Sequence, residues 1–398
     1  MSSETPGQCT DFALLGHPAS YEHLGDIFVH SRPDFNREKM TKYKATLEKI
    51  FEWTPSYAAK DPLLINLPGG RQVAGRLVFC TFLPETIHTP RKMLATYQKI
   101  RDGCHVAKNL GAKIIGLGGF TSIVGGTQGE KEAQELEVAV TSGNSLTAAL
   151  AIAQLNTLLK WLDWSLHDRT VAVLGASGDI GRACALELAA HAQRILLIAR
   201  NKARLEELRD AMPAGVEVYT STDVQDAAQA SVIVAATSAA QPILAEADLQ
   251  PGTVACDVGY PKNLSYAPDP RPDVLAISGG LAQMPFELDI TYYTRLPAAN
   301  IMYGCFSEAM ILAIAGRYES YSIGQGCITR EKMDNILALA HAHGFQPAPL
   351  YRGKNLVTSE TLSTFLEHTR ISPVHRGSPI RHTHSVKYQH PEPGVPGL

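Results

Sequence analysis

The sequence has little with which to bind a polyanion, cross a membrane or staple itself together. Lysine and arginine number 36 against 39 aspartates and glutamates, a formal net charge of -3 over 398 residues. A chain so nearly balanced has no general field for nucleic acid or for an anionic membrane, so no nucleic-acid partner is expected, while a local basic patch stays open. No apolar run approaches the ~20 residues of a spanning helix. The best helical candidate, Leu146 to Leu162, is interrupted by Thr147, Gln154, Asn156, Thr157 and Lys160. We therefore expect a core helix there and no transmembrane segment, with peripheral contact of an apolar patch with a membrane still open. The start, Met1 to Thr10, holds Glu4 and Pro6 and lacks the basic and apolar regions of a signal peptide. The seven cysteines, Cys9, Cys80, Cys104, Cys184, Cys256, Cys305 and Cys327, are odd in number, scattered and without a CxxC pair. That argues against a disulfide framework and a zinc ribbon, and for reduced thiols in the cytoplasm. No metal site is expected: His382, His384 and His390 read as part of a solvated tail.

What is present is ordinary globular material. Hydrophobic residues make up 45% and charged residues 19%, enough apolar surface to bury a core and too much for a disordered chain. Strand-like and helix-like stretches alternate from Asp11 onward, which implies parallel sheets covered on both faces. Thr89 to Gly111 has apolar residues near 3.6 spacing and a glycine stop. Ala112 to Phe120 reads as a buried strand running into a glycine turn. Ser145 or Asn144 is the expected N-cap of the helix ending at Leu162.

The clearest unit follows Asp168-Arg169. The strand Val171-Ala172-Val173-Leu174 runs into Gly175-Ala176-Ser177-Gly178-Asp179-Ile180-Gly181, which opens a helix and leads to a second strand at 194–199. Glycines at these places allow a sharp turn, close approach to a pyrophosphate and close helix packing, and the free N–H groups of the helix start face the phosphates. The spacing is GxxGxxG. The second strand ends in Arg200-Asn201-Lys202 with Arg204 beyond, where an NAD enzyme places a carboxylate for the ribose 2′-hydroxyl. Cations there suit a 2′-phosphate, so NADPH is the expected cofactor, with Arg200 first and Arg204 second as its ligands. Thr237 and Ser238 should line the nicotinamide ribose. Gly259, Tyr260 and Lys262 fall in a further turn at the carboxyl end of a strand, the edge where open α/β sheets bind ligands.

No Tyr-x-x-x-Lys segment follows the dinucleotide unit, so a short-chain dehydrogenase is disfavoured. A thiol remains. Asn300 to Arg317 reads as an apolar helix with Asn300 as N-cap, which puts Cys305 in its second turn beside Gly304. A helix start favours thiolate only modestly at that distance, and a cysteine on an apolar helix is more often a buried small hydrophobe. Cys184 and Cys256 read as core residues.

Several segments together resemble the cyanobacterial long-chain fatty acyl-[acyl-carrier-protein] reductases. They are Leu15-Gly16-His17, Phe82-Leu83-Pro84-Glu85, Leu117 to Ile123, Thr141-Ser142-Gly143-Asn144-Ser145, Gly178-Asp179-Ile180-Gly181, Leu196 to Asn201, Gly259-Tyr260-Pro261-Lys262-Asn263-Leu264, Cys305-Phe306-Ser307-Glu308-Ala309 and His343-Gly344-Phe345. The likeness runs in order from about Phe12 to Leu350. One departure is Thr81 directly before the Phe-Leu-Pro-Glu segment, where that family has cysteine; Cys80 stands one place earlier. The resemblance implies NADPH-dependent reduction of an acyl thioester, carried by acyl carrier protein or coenzyme A, to an aldehyde, with Cys305 carrying the acyl group. The aldehyde would pass to a downstream aldehyde-consuming enzyme. Asn144, Lys262 and Tyr260, with the amides of Gly143, Asn144 and Ser145, are the candidate partners of the reacting carbonyl, and His17 is a candidate acid–base group. Arg91, Lys92 and Arg101 are candidates for a carrier-docking patch.

The expected fold is α/β: an N-terminal α/β domain, a central Rossmann-like NADP-binding domain with a parallel sheet, and C-terminal helices. The expected divisions are a tail at 1–10, an acyl domain at 11–145, a nucleotide domain at 146–295, a helical part with Cys305 at 296–350, and a disordered tail at 351–398. Three rivals remain. A shikimate-type dehydrogenase would reduce a ketone without a thiol. A glutamyl-tRNA reductase would use a thiol but need tRNA contacts. A non-catalytic protein would bind NADPH and turn nothing over.

Overall fold

The computed structural model describes residues 10–31, 37–125, 129–324 and 326–371. The tail expected at 1–10, apart from Thr10, and residues 372–398 with His382, His384 and His390 lie outside the described residues. The chain divides into two compact units, one of residues 1–150 and 280–348, the other of 151–279 and 349–398.

In the first unit, β1 (Phe12–Gly16) precedes α1 (Tyr21–Ser31), α2 (Arg37–Lys42), α3 (Lys44–Trp53), β2 (Tyr57–Ala58), β3 (Leu63–Asn66) and β4 (Gln72–Phe79). Then come α4 (Pro90–Asn109), β5 (Ile114–Leu117), α5 (Phe120–Gly125), α6 (Gly129–Leu136) and β6 (Ala139–Thr141). The sheet order is β2-β4-β1-β5-β6, with β3 also paired to β4. Strands β1, β4, β5 and β6 run parallel, and β1 and β5 are buried along their whole length. Thr89 caps α4 by accepting the Lys92 N–H at 3.2 Å, and Pro90 fills the first helical position, where no donor is needed.

Helix α7 (Asn144–Trp161) carries the chain across the boundary at 150–151. The second unit continues with β7 (Thr170–Leu174), α8 (Asp179–Ala189), β8 (Arg194–Ile198), α9 (Lys202–Asp210), β9 (Glu217–Ser221), β10 (Val232–Ala235), β11 (Leu244–Ala245), β12 (Thr253–Asp257), β13 (Leu264–Ser265) and β14 (Val274–Ser278). Its six-stranded sheet has the order β14-β12-β10-β7-β8-β9 and is parallel throughout. The chain starts in the middle, at β7, and the direction of winding reverses between β7 and β10. That is the doubly wound arrangement, with its ligand crevice at the carboxyl ends of the strands.

The chain then returns to the first unit through β15 (Leu281–Gln283), α10 (Thr291–Thr294), β16 (Ile301–Tyr303), α11 (Gly304–Ile314), α12 (Arg330–Ala342) and β17 (Gln346–Pro347). The C-terminal part expected at 296–350 is therefore not separate. Every residue of α11 except Cys305 is buried, and the helix packs on β1 and β5. A helix apolar all round has to be enclosed by other elements.

The expected tail from 351 is also corrected. Residues 351–371 form β18 (Tyr351–Arg352), β19 (Asn355–Leu356) and α13 (Ser359–Ile371) in the second unit. Phe365 is buried beside Trp164, with ring centroids 5.9 Å apart. The Arg352 guanidinium donates to the buried Glu246 carboxylate at 3.3 and 2.6 Å. Substituting Phe365→Ala should cost about 3–5 kcal/mol of stability, as for other buried aromatics, read as a lower urea midpoint. An unchanged midpoint would show that α13 is not held this way.

Candidate active site

The thiol stands where a strand turns into a helix. Residues Ile301–Tyr303 pair antiparallel with Leu281–Gln283, so the backbone stays extended to Tyr303 and α11 begins only at Gly304. Cys305 is thus the second residue of the helix. This corrects the reading that started the helix near Asn300 and put Cys305 a turn further in; an apolar Ile-Met-Tyr segment has no period that separates strand from helix. The Cys305 residue is half-buried. Burial pushes its thiol up to about 11, and the nearby Glu308 adds to that. The main-chain N–H groups of Gly119, Phe306 and Cys305 itself act in the opposite direction. The resting group is a protonated thiol surrounded by amide donors.

Two turns bring those donors in. The first follows β5: Gly118 N–H donates to Leu15 O at 2.9 Å, and the Thr121 hydroxyl donates to Gly118 O at 2.9 Å. His17 fixes the same turn. Its Nε2 accepts the Phe120 N–H at 2.8 Å, its Nδ1 pairs with Pro18 O at 2.9 Å, and its ring stacks on Phe82 at 4.7 Å. Burial pushes the imidazole down to about 4. His17 is therefore a neutral ring that shapes the turn, with both nitrogens engaged, and not an acid–base group. Sequence reasoning missed Gly119; the Gly118-Gly119 pair was its only signal.

The second turn is Ser142-Gly143. Gly143 has φ +68°, and a Cβ there would lie 2.1 Å from Cys305 Cα, so glycine is needed both for the conformation and for the approach. Helix α7 begins at Asn144, which makes Gly143 and not Asn144 or Ser145 its cap. The Asn144 side chain is half-buried and its Oδ1 lies 3.5 Å from Ser122 Oγ. The Ser145 N–H, expected as an oxyanion donor, is spent on Ser322 Oγ at 3.1 Å. The Gly143 and Asn144 amides are only loosely held, at 3.4 Å from Thr141 Oγ1 and Ser142 Oγ.

Glu308 was quoted as part of a motif but given no role. It lies one helical turn beyond Cys305 and is fully buried. Its carboxylate accepts from the Thr141 hydroxyl at 2.5 Å, the Leu146 N–H at 3.0 Å and the Ser322 hydroxyl at 3.0 Å. Burial raises its pKa, and the three donors and Lys332 oppose that. The glycine cap of α7 has no side chain to receive the first-turn amides, and Glu308 receives one of them from another helix. Three other thiols are unsuited to attack: Cys80 and Cys184 are buried and pushed up to about 12, and burial raises Cys256 as well.

The nucleotide motif lies in the second unit. Gly175 has φ +79°, and a Cβ on it would sit 2.3 Å from Ala236 O. Gly178 is the cap of α8 and carries no side-chain cap, Gly181 packs on Gly175, and Ser177, Asp179 and Ile180 are half-buried at the helix start. Arg200 and Arg204 are exposed beyond the end of β8. Asn201 caps α9, its Oδ1 accepting the Arg204 N–H at 3.1 Å. Thr237 is clamped by Asn263, whose Oδ1 accepts its N–H at 2.8 Å and whose Nδ2 donates to its carbonyl at 3.4 Å; Ser238 beside it is exposed. The buried Asp257 carboxylate accepts the N–H groups of Gly259 at 3.0 Å, Asn263 at 2.9 Å and Leu264 at 2.9 Å. Lys262 Nζ donates to Asp257 O at 2.9 Å, and Tyr260 is half-buried. Asp257 and Asn263 were missed as organisers of this turn. Cys305 and Asn144 thus belong to the first unit, and Tyr260, Lys262 and the nucleotide residues to the second.

A doubly wound sheet with this glycine turn defines a nucleotide-binding fold. The Shikimate / quinate 5-dehydrogenase family matches residues 156–269. The long-chain acyl-[acyl-carrier-protein] reductase of Synechococcus elongatus is 30% identical over 354 residues, covering 85% of this chain and 99% of that protein. The chain belongs to the family of long-chain acyl-[acyl-carrier-protein] reductases. The aminotransferase PigE of a Serratia strain is 34% identical over 249 residues, 60% of this chain and 28% of that protein. Among solved structures, L-tryptophan dehydrogenase of Nostoc punctiforme is 11% identical with a TM-score of 0.35, covering 92% of this chain and 89% of that one.

Alkylation of Cys305 should accelerate with rising pH, since only the thiolate reacts, up to a midpoint near about 11. Glu308→Gln removes a like charge and should move that midpoint down by about one pH unit. Iodoacetamide labelling followed by peptide mass spectrometry reads it, and an unmoved midpoint would refute the electrostatic link.

Proposed function

We propose that the protein reduces an acyl thioester to the aldehyde with NADPH, through an acyl group carried on Cys305. The observation that carries this reading is a half-buried thiol at the second position of a helix, faced by the amides of Gly119 and Phe306. The Cys305 sulphur attacks the thioester carbonyl, the bond to the carrier's sulphur breaks, and the thiol proton leaves with the carrier's thiol. The new thioester differs little in energy from the old one. Charge developing on the carbonyl oxygen needs donors fixed in advance, and the Gly119 amide and the loosely held amides of Gly143 and Asn144 are suited to it. Lys262 and Tyr260 stay as candidates for protonation.

The chain's residues fit a dinucleotide. The glycine turn packs tightly against its neighbours at Gly175 and puts no side chain at Gly178, the α8 start offers amides to phosphates, and Arg200 with Arg204 suits a 2′-phosphate. Ser177, Asp179, Ile180, Gly181, Asn201, Thr237, Ser238 and Gly259 complete the proposed ligand set. Bound NADPH supplies the hydride that reduces the acyl carbon; the Cys305 sulphur then leaves as the aldehyde is released. A long-chain acyl group on acyl carrier protein is the proposed substrate, by analogy with the Synechococcus relative, and coenzyme A is the alternative carrier. The aldehyde would need a further enzyme to consume it.

Incubation with an acyl thioester and no NADPH should leave the acyl mass on the Cys305 peptide, with ping-pong kinetics in turnover. Cys305→Ala should lose the adduct and roughly a thousandfold or more of turnover; full activity in that variant would instead favour a thiol-free dehydrogenase of the shikimate type. Arg200→Ala should raise KM for NADPH about ten- to a hundredfold while sparing NADH, as expected on losing a charged hydrogen bond. Equal effects on both cofactors would remove Arg200 from the 2′-phosphate.

A further inference from the structure

Helices α2 and α3 are held to the first unit by a narrow apolar seam. Met40 and Phe51, with Leu47 partly buried, pack against Tyr21, Leu24 and Leu83. Phe51 is the one fully buried residue of α3. The opposite side leaves large apolar groups in water: Trp53 is 79% exposed, Ile50 52% and Tyr43 48%. At 100° per residue Ile50 and Trp53 lie about 60° apart on α3, and Tyr43 stands exposed as the residue before the helix. Lys42 and Lys49 share or adjoin that face, and the Lys42 ammonium lies 5.5 Å from the Tyr43 ring centroid. The carboxylates of α3 lie elsewhere. Glu48 pairs with Lys44 at 3.8 Å, and Glu52 pairs with Lys92 on α4. Among the described residues, the outward face therefore holds a tryptophan, a tyrosine, an isoleucine and lysines, and no acid.

We infer that this face seats the protein on an anionic lipid bilayer, with Trp53 and Ile50 entering the interfacial layer and Lys42 and Lys49 on the headgroups. Tryptophan and tyrosine prefer the headgroup level, and lysine stems lie along it with the charge outward. A protein partner is less well matched: such interfaces favour arginine and are depleted in lysine, and the cations here are all lysines. The inference stands apart from the acyl chemistry. It would place the enzyme where a long-chain aldehyde dissolves, but the test uses no substrate.

The full-length protein is sedimented with vesicles of phosphatidylcholine alone or with 30% (roughly, a typical anionic fraction) phosphatidylglycerol. Binding is expected to the anionic vesicles, weakened by salt. Trp53→Ala with Ile50→Ser should reduce it at least about tenfold, since both side chains are exposed and their loss removes no core contact. Lys42→Glu with Lys49→Glu should do the same on anionic vesicles, at about fivefold for each charge lost, so the assignment does not depend on one variant. No sedimentation with either vesicle, or equal sedimentation of the wild type and both double variants, would overturn it. So would a face that binds acidic carrier protein, with affinity lost in both variants, while vesicles stay unbound.

Discussion

One buried carboxylate governs the geometry around the thiol. Glu308 gathers a hydroxyl from the end of β6, an amide from the first turn of α7 and the hydroxyl of Ser322, all onto the helix that carries Cys305 one turn before it. Thr141 Oγ1 accepts the Ser322 N–H at 3.0 Å, so its own proton is free for Glu308. Ser322 Oγ accepts the Ser145 N–H at 3.1 Å, and its one proton is shared between Ser145 Oγ at 2.7 Å and Glu308 at 3.0 Å. Breaking a buried arrangement of this kind on one side leaves charge uncompensated, which costs far more than an exposed pair would. The starts of α7 and α11 are thereby fixed to each other, and Gly143 allows their backbones to touch.

The parallel core was legible because its physics is local and repetitive. Runs such as Val171 to Leu174, Leu196 to Ile198 and Val274 to Ser278 are continuous apolar strands bounded by turn residues, and buried parallel strands have that signature. The glycine turn after β7 was legible for the same reason: each glycine answers a backbone need at a fixed offset. Other features were hidden. The start of α11 depends on Ile301–Tyr303 pairing with a strand twenty residues earlier, which no local period records. Helix α13 carries so few apolar residues that Phe365 alone marks its buried side, and the segment read as tail. Glu308, Asp257 and Asn263 were visible as letters, but their roles come from amides contributed by distant turns. The discontinuous first unit was also out of reach, because contacts from 280–348 back to 1–150 are tertiary facts.

The protonation of the thiol bears on what the surroundings are for. A thiol pushed up to about 11 is thiolate at neutral pH to only about one part in ten thousand. The greater intrinsic nucleophilicity of a more basic thiolate recovers part of that, since rates rise with pKa with a slope near ~0.4–0.5. It does not recover all of it. On the proposed mechanism the three amides therefore matter less as stabilisers of a resting thiolate than as donors waiting for negative charge that would arise first on the attacking sulphur and then on the carbonyl oxygen. Burial and Glu308 disfavour that charge beforehand, and a thiol kept protonated is protected from stray electrophiles and oxidants, which react with the thiolate. On this view the site holds its donors fixed and its nucleophile quiet. The amides of Gly119, Cys305 and Phe306 then gain their full value only as charge appears, which is the condition under which fixed dipoles lower a barrier.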